Sequence, residues 1–314
     1  MKSLLLAVLL LLPAAPRASA FEFFGEPKAA RELSRIYDGG DYAEIVKRLS
    51  GDGVLKLPRR ARARGYHLLG ASYERLGRAK DAIAVYRLAE GLYPKDLGIL
   101  TALADLLHAN DLDDQARPLY QRVLAIHPNN AASNLGMAEI CRHQGFTVRA
   151  QAHYERALKE WNQAPRIWRG YAETLGQRRD FKAAVSAIRR ALELSDDADS
   201  LLTLARFQRS AGEVDAYDTL RRALAKAPHR ETRLRLALWL LEDERLDEAL
   251  AETAALLREE PEAPLALWIR ASVNLRRGRT ADARRDLLSV ARTEQRVPFL
   301  VRTAKEMLAR MGDR

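Results

Sequence analysis

The chain has 314 residues, enough for two ordinary domains or one long repeat array. Apolar residues make up 47% and aromatics 7%, and Gly and Pro are sparse beside Ala, Leu and Arg, which favours helix throughout. The formal charge is +10, and the single cysteine, Cys141, excludes an intrachain disulfide.

Residues 1–20 read as a secretory signal. Lys2 supplies the positive start, residues 4–12 form an unbroken apolar run, and Pro13 breaks it. Ala18 and Ala20 give the small-x-small pattern for cleavage before Phe21. The stretch from Leu4 to Ala15 would be roughly 18 Å long as a helix against a hydrocarbon core of about 30 Å, too short to span comfortably. An uncleaved anchor is the alternative, and no other stretch reads as transmembrane. Removing residues 1–20 lowers the formal charge to +8. The expected location is the periplasm, or peripheral attachment to an outer membrane. Export turns the basic charge away from nucleic acid and toward acidic protein segments, anionic polysaccharide or lipid head groups. The blander reading is that Arg solvates outer helix faces. Cys141 falls on an apolar register, so a buried inert thiol is expected, with intermolecular pairing as the sharper reading.

Residues 21–62 form an N-terminal segment. Three phenylalanines within residues 21–24 need cover and are expected to fold back onto the first helices. Apolar spacing then gives one helix over residues 29–37 and a second around Tyr42, Ile45, Val46 and Leu49, a degenerate repeat.

From residue 63 a 34-residue skeleton recurs: Leu69-Gly70, Tyr73, Gly77, Ala82, Tyr86, Ala89, Pro94. The small residue of the first helix returns at Ala104, Ala138, Ala172, Ala205, Ala237 and Ala271. That of the second helix returns at Ala116, Ala150, Ala184, Ala216, Ala249 and Ala283, each followed four residues on by a bulky or β-branched residue. Small residues let two helices approach, and the following side chain fills the gap as a knob. Gly77, Gly145, Gly212 and Gly278 stand where the first helix turns back; Pro94, Pro128, Pro228 and Pro261 stop the second. This pattern resembles the tetratricopeptide repeat family over residues 63–297. The repeats run at about 63–96, 97–130, 131–164, 165–197, 198–229, 230–263 and 264–297. The last departs from the pattern, with Arg270 and Asn274 at apolar positions. Residues 298–314 read as a C-terminal capping helix led by Pro298. The expected fold is all-α: a right-handed superhelical solenoid of antiparallel helix pairs.

Nucleophile-elbow, Walker and dinucleotide motifs are absent, and no histidine pair has metal-ligand spacing. No catalytic residue, cofactor or metal is expected. The resemblance implies that the first helices of successive repeats line a groove. Its stripe begins with Arg64, His67 and Glu74, then Asp105 and His108, then Glu139 and Arg142. It continues through Arg166, Arg169, Glu173, Leu202, Arg206 and Arg209, and ends apolar with Leu234, Leu238, Leu241, Leu265 and Trp268. These later positions are the candidate partner-binding residues, and whether the leucines face solvent or core stays open. The family's clamp for a terminal carboxylate is not expected, because Thr101 and Leu135 occupy its positions. The function read from this is a non-enzymatic scaffold of a bacterial cell envelope, holding a protein segment or an envelope complex in the groove. The alternative is an accessory of polysaccharide export binding an acidic glycan through the groove arginines. Self-association into a homo-oligomer also stays open.

Overall fold

The computed structural model describes residues 27–293 and 298–312. The expected signal, its cleavage site at Ala18, Ala20 and Phe21, and the phenylalanine cluster lie outside the described residues. The chain divides into two compact units, Met1–Arg179 and Asp180–Arg314.

In the first unit, α1 (Lys28–Asp38) and α2 (Tyr42–Leu49) lead through a 3-10 turn to three helix pairs. These are α3 (Arg59–Arg75) with α4 (Ala79–Leu92), α5 (Leu97–Ala109) with α6 (Asp113–Ile126), and α7 (Ala131–His143) with α8 (Thr147–Glu160). α9 (Pro165–Gln177) closes the unit. The second unit opens on α10 (Phe181–Leu194), so the boundary falls between the two helices of the expected fourth repeat. Pairs follow: α11 (Ala198–Ala211) with α12 (Ala216–Lys226), α13 (Arg230–Glu242) with α14 (Leu246–Glu259), α15 (Pro264–Arg276) with α16 (Thr280–Arg292). α17 (Pro298–Gly312) packs on both α15 and α16. In each unit the array is a solenoid in which first helices also meet first helices, α3 on α5, α5 on α7 and α13 on α15.

Local chemistry sets the helix ends. Asp96, Asn130 and Asp197 cap α5, α7 and α11 by accepting from the backbone N–H three residues on. Pro165 and Pro264 occupy the first turn of α9 and α15. Each first helix ends in a left-handed residue, at Gly77, Asp111, Gly145, Arg179, Gly212, Glu244 and Gly278. The next residue's N–H then reaches back to the helix, as Phe146 does to the Cys141 carbonyl at 2.8 Å and Arg245 to Leu240 at 2.8 Å. Three of these positions lack the glycine that would mark them.

The core is built from knobs. Tyr86, Tyr120 and Tyr154 on α4, α6 and α8 are fully buried. A Cβ on Gly136 would lie 2.2 Å from the Tyr120 ring carbon, and one on Gly170 would lie 2.4 Å from the Tyr154 hydroxyl. Glycine is required there because the ring of the preceding repeat fills the space of a side chain. Cys141 is buried and unpaired, and burial pushes its thiol up. Arg270 and Asn274, the expected irregularities, pack within the second unit. Arg270 makes a two-pronged ion pair with the buried Asp286 at 2.7 and 2.8 Å, and Asn274 is 7% exposed.

This packing sets two stability outcomes. Gly136→Ala is expected to lower unfolding stability by about 1–3 kcal/mol through overpacking. Gly91→Ala, in α4 with open space around the added carbon, is expected to raise it by about 0.5–1 kcal/mol. Urea titrations of the two variants check the contrast. Glu244→Gly relieves a left-handed non-glycine residue at φ 58° and is expected to raise the thermal midpoint, where Gly145→Ala lowers it.

Candidate partner-binding faces

In the first unit the first-helix face is organised by the buried tyrosines. A phenol that is fully buried must still find an acceptor. Tyr86 donates to Glu74 Oε1 at 2.6 Å, and Tyr120 donates to Asp105 Oδ1 at 2.7 Å. Tyr154 lies beside the Glu139–Arg142 pair. Burial first, and the facing carboxylate second, push Tyr120 and Tyr154 far above the usual phenol range, so both stay neutral.

Beside these groups lies a cavity of about 330 Å³, lined by His108, Glu139, Arg142, His143, Arg166, Arg169, Gly170 and Glu173. Arg142 is its hub: it donates to Glu139 Oε2 at 2.8 Å and pairs with Glu173 Oε2 at 3.0 Å. Its Nη2 also lies 2.8 Å from His143 Nε2. Burial raises the Glu139 carboxyl, but hydrogen bonds from Arg142 and the charges of Arg142 and Arg166 outweigh it and hold Glu139 below the usual carboxylate range. His108 is fixed by Asp113 Oδ1, 2.5 Å from its Nδ1. Arg166 is exposed and makes no ion pair with a described residue. The structure therefore brings Arg166 and Arg169 together on one cavity wall. His143 adds a lining group that the sequence stripe omitted, because it sits at the helix end, one residue off the register.

In the second unit Leu202, Leu234, Leu238, Leu265 and Trp268 are half-buried, packed against the core while keeping part of their surface open. Leu241 differs: at 4% exposure it belongs to the core with Leu236 and Leu240. Arg206 is exposed. Arg209 is engaged inside the unit. It bonds Asp243 at 3.0 Å through two nitrogens and Glu242 at 2.8 Å, and it covers the Trp239 ring at 4.9 Å. The Trp268 Nε1–H is buried without an acceptor among the described residues. Among the described residues no group of three side chains could hold a metal ion, and no helix is long and apolar enough to cross a membrane.

Glu139→Gln tests the carboxylate network of the first unit. It removes the charge facing Arg142 and is expected to cost about 1–3 kcal/mol at pH 7. Because Glu139 is lowered in the fold, its contribution is present above the unfolded carboxylate value near about 4.3 and is lost as pH falls through the lower folded value. The wild type should therefore lose stability on acidification below about pH 4.5 more steeply than Glu139→Gln does, read by urea midpoints across pH.

Comparison with known proteins agrees with this architecture. The chain matches the tetratricopeptide repeat over residues 63–106, 101–165, 142–199 and 234–298. It is 26% identical over 189 residues to tetratricopeptide repeat protein 8 of Caenorhabditis elegans, an alignment covering 59% of this chain. It spans only 37% of that relative's length. Its fold is similar to the C-terminal part of a TPR repeat-containing protein from Cytophaga hutchinsonii, with TM-score 0.61 at 13% identity, over 76% of this chain and 98% of that one. It is also similar to PilW, a widely conserved type IV pilus biogenesis factor, with TM-score 0.56 at 18% identity, over 66% of this chain and 97% of that one. At such identities the likeness is one of fold. With seven in-phase helix turns and matches over more than half of its residues, the chain belongs to the tetratricopeptide repeat family.

Proposed function

We propose that this chain is a non-enzymatic interaction scaffold of a bacterial cell envelope, which holds a protein segment along the first helices of its second unit. The observation that carries this reading is the half-buried apolar stripe of Leu202, Leu234, Leu238, Leu265 and Trp268. Such side chains on a surface the core does not fully cover supply binding energy when a partner covers them. Repeat proteins of this family serve as interaction scaffolds in general, and a helix or extended segment with apolar anchors fits such a stripe. The envelope location rests on residues 1–20 alone.

A glycan reading would need arginines with charge to spare. Arg166 in the first unit and Arg206 in the second are exposed and make no ion pair with a described residue, so an acidic polysaccharide is the second reading. Arg209 contributes least to it, because acidic residues of its own unit take its donors.

The test is a crosslinking pull-down from the native envelope, comparing the wild type with a Leu238→Ala, Trp268→Ala double variant of matched thermal transition. Loss of one or two proteins with the double variant is the expected result. An unchanged set of partners would refute the groove, and enrichment of glycan with no protein would replace it by the second reading.

A further inference from the structure

The positive charge of this chain is not spread evenly. Residues 276–314 hold eleven Lys and Arg against five Asp and Glu, a net +6 of the whole chain's +10 in about an eighth of its length. Their helices bury one face each. α16 packs Ala283, Asp286, Leu287 and Val290 inward. Its exposed side carries Arg284, Arg285, Leu288 and Arg292, which fall within an arc of about 100° at 3.6 residues per turn. α17 buries Leu300, Val301 and Ala304 and exposes Phe299, Arg302 and Arg310 along one side. Phe299 is 67% exposed and Leu288 43%, two large apolar residues set among cations. Arg302 lies 5.8 Å from the Phe299 ring centroid. Among the described residues, the acidic ones on these outer faces are Asp282, which pairs with Arg285 at 3.5 Å, and Glu306. Asp286 is turned inward and taken by Arg270. Elsewhere in the second unit arginines such as Arg189 and Arg221 find Glu213 and Glu248 of the next helix pair.

We propose that the outer faces of α16 and α17 dock on an anionic membrane surface. The surface fits because it offers both things this face asks for. Anionic head groups accept a row of guanidiniums without fixed geometry, and the layer beneath them takes an aromatic ring and a leucine. A polysaccharide offers the charge but no apolar layer for Phe299. The apolar side of α17 is used on the last repeat, so the chain rests on the membrane as a folded body and inserts no helix. This goes beyond the groove reading and does not depend on it: the groove is lined by first helices, the docking face by the outer side of α16 and α17.

The test is co-sedimentation of the chain, in its native processed form, with vesicles of zwitterionic phospholipid alone and with about 30% phosphatidylglycerol. Binding to the anionic vesicles only, weakening with added salt, is expected. At roughly fivefold per basic residue, Arg284→Gln, Arg285→Gln and Arg292→Gln together should weaken it about 100-fold. Phe299→Ser should give a smaller loss that salt does not alter. Arg222→Gln, at an exposed arginine of α12 that belongs to neither face, is the control and should bind as the wild type does. All these side chains are exposed, and circular dichroism verifies that the variants fold. Equal binding to both vesicle types, no binding, or anionic binding indifferent to the three substitutions would overturn the proposal. An acidic protein captured through these arginines, with no vesicle binding, would overturn it too. The pull-down through Leu238 and Trp268 reads separately, so either proposal can fail alone.

Discussion

A tyrosine hydroxyl buried between helix pairs governs much of this molecule. The ring of Tyr86, Tyr120 or Tyr154 fills the gap that small residues leave, and its tip emerges at the first-helix face. There it needs an acceptor, since a buried phenol without one costs about 1–3 kcal/mol. Glu74 and Asp105 answer that need for Tyr86 and Tyr120, while the Tyr154 hydroxyl sits beside the Glu139–Arg142 pair without a bond of hydrogen-bond geometry. Each carboxylate is therefore first a packing requirement. Glu139 then pairs with Arg142, which also holds Glu173, in the network around the cavity. The polar character of the first unit's face descends from the choice of knob.

In the second unit the knob changes, and the face changes with it. At the same register stand Ile188, Leu220, Thr253 and Leu287, all without a phenol. Thr253 satisfies its hydroxyl on the Ala249 carbonyl at 2.9 Å, inside its own helix. No acceptor is required on the first-helix face, and its positions pass to Arg206, Leu238 and Ser272. Volume is conserved in the same way. The position after a tyrosine knob is Ala102, Gly136 or Gly170; after Thr253 it is the fully buried Ile269. Polar substitutes also come in pairs. Asn134 stands where an aromatic is usual and bonds His153 at 2.9 Å, while Arg233 at the same register meets Glu252 at 3.1 Å. Arg270 with Asp286 is a third such exchange. Burial and the charge of Arg156 lower His153, which keeps it neutral beside the asparagine.

Much of this was legible in the sequence, because the repeat period, the small residues and the knobs are all local signals. The left-handed turns at Asp111, Arg179 and Glu244 were not, since only glycine announces that conformation and none stands there. The groove was legible where helices are amphipathic and illegible where they are not. In α13 leucine or tryptophan stands at 234, 236, 238, 239, 240 and 241, so apolar residues surround the helix and no periodicity separates the groove from the packing side. Leu241 turns inward, and nothing in that pattern marks it apart from Leu238. Arg209 was misleading in another way. Its acidic partners lie 33 and 34 residues on, one repeat later, and a stripe read along a single helix cannot register them.

The same distinction between compensated and uncompensated charge orders the surface of the second unit. Where helix pairs stack, an arginine meets a carboxylate of the neighbouring pair, so its charge is spent within the fold, as with Arg189, Arg221 and Arg277. Stacking supplies those partners only while another pair is adjacent. On the outer sides of α16 and α17 Arg285 has Asp282 of its own helix, while Arg284, Arg292, Arg302 and Arg310 make no ion pair with a described residue. A terminal face in such an array must be polar to stay in water, but polarity alone does not call for one sign. Arginine far in excess of carboxylate, with Phe299 and Leu288 left open among the cations, is more than a cap needs. The apolar stripe on the first helices and the basic face on the last ones are thus two departures from what packing demands, and each marks a surface with work outside the fold.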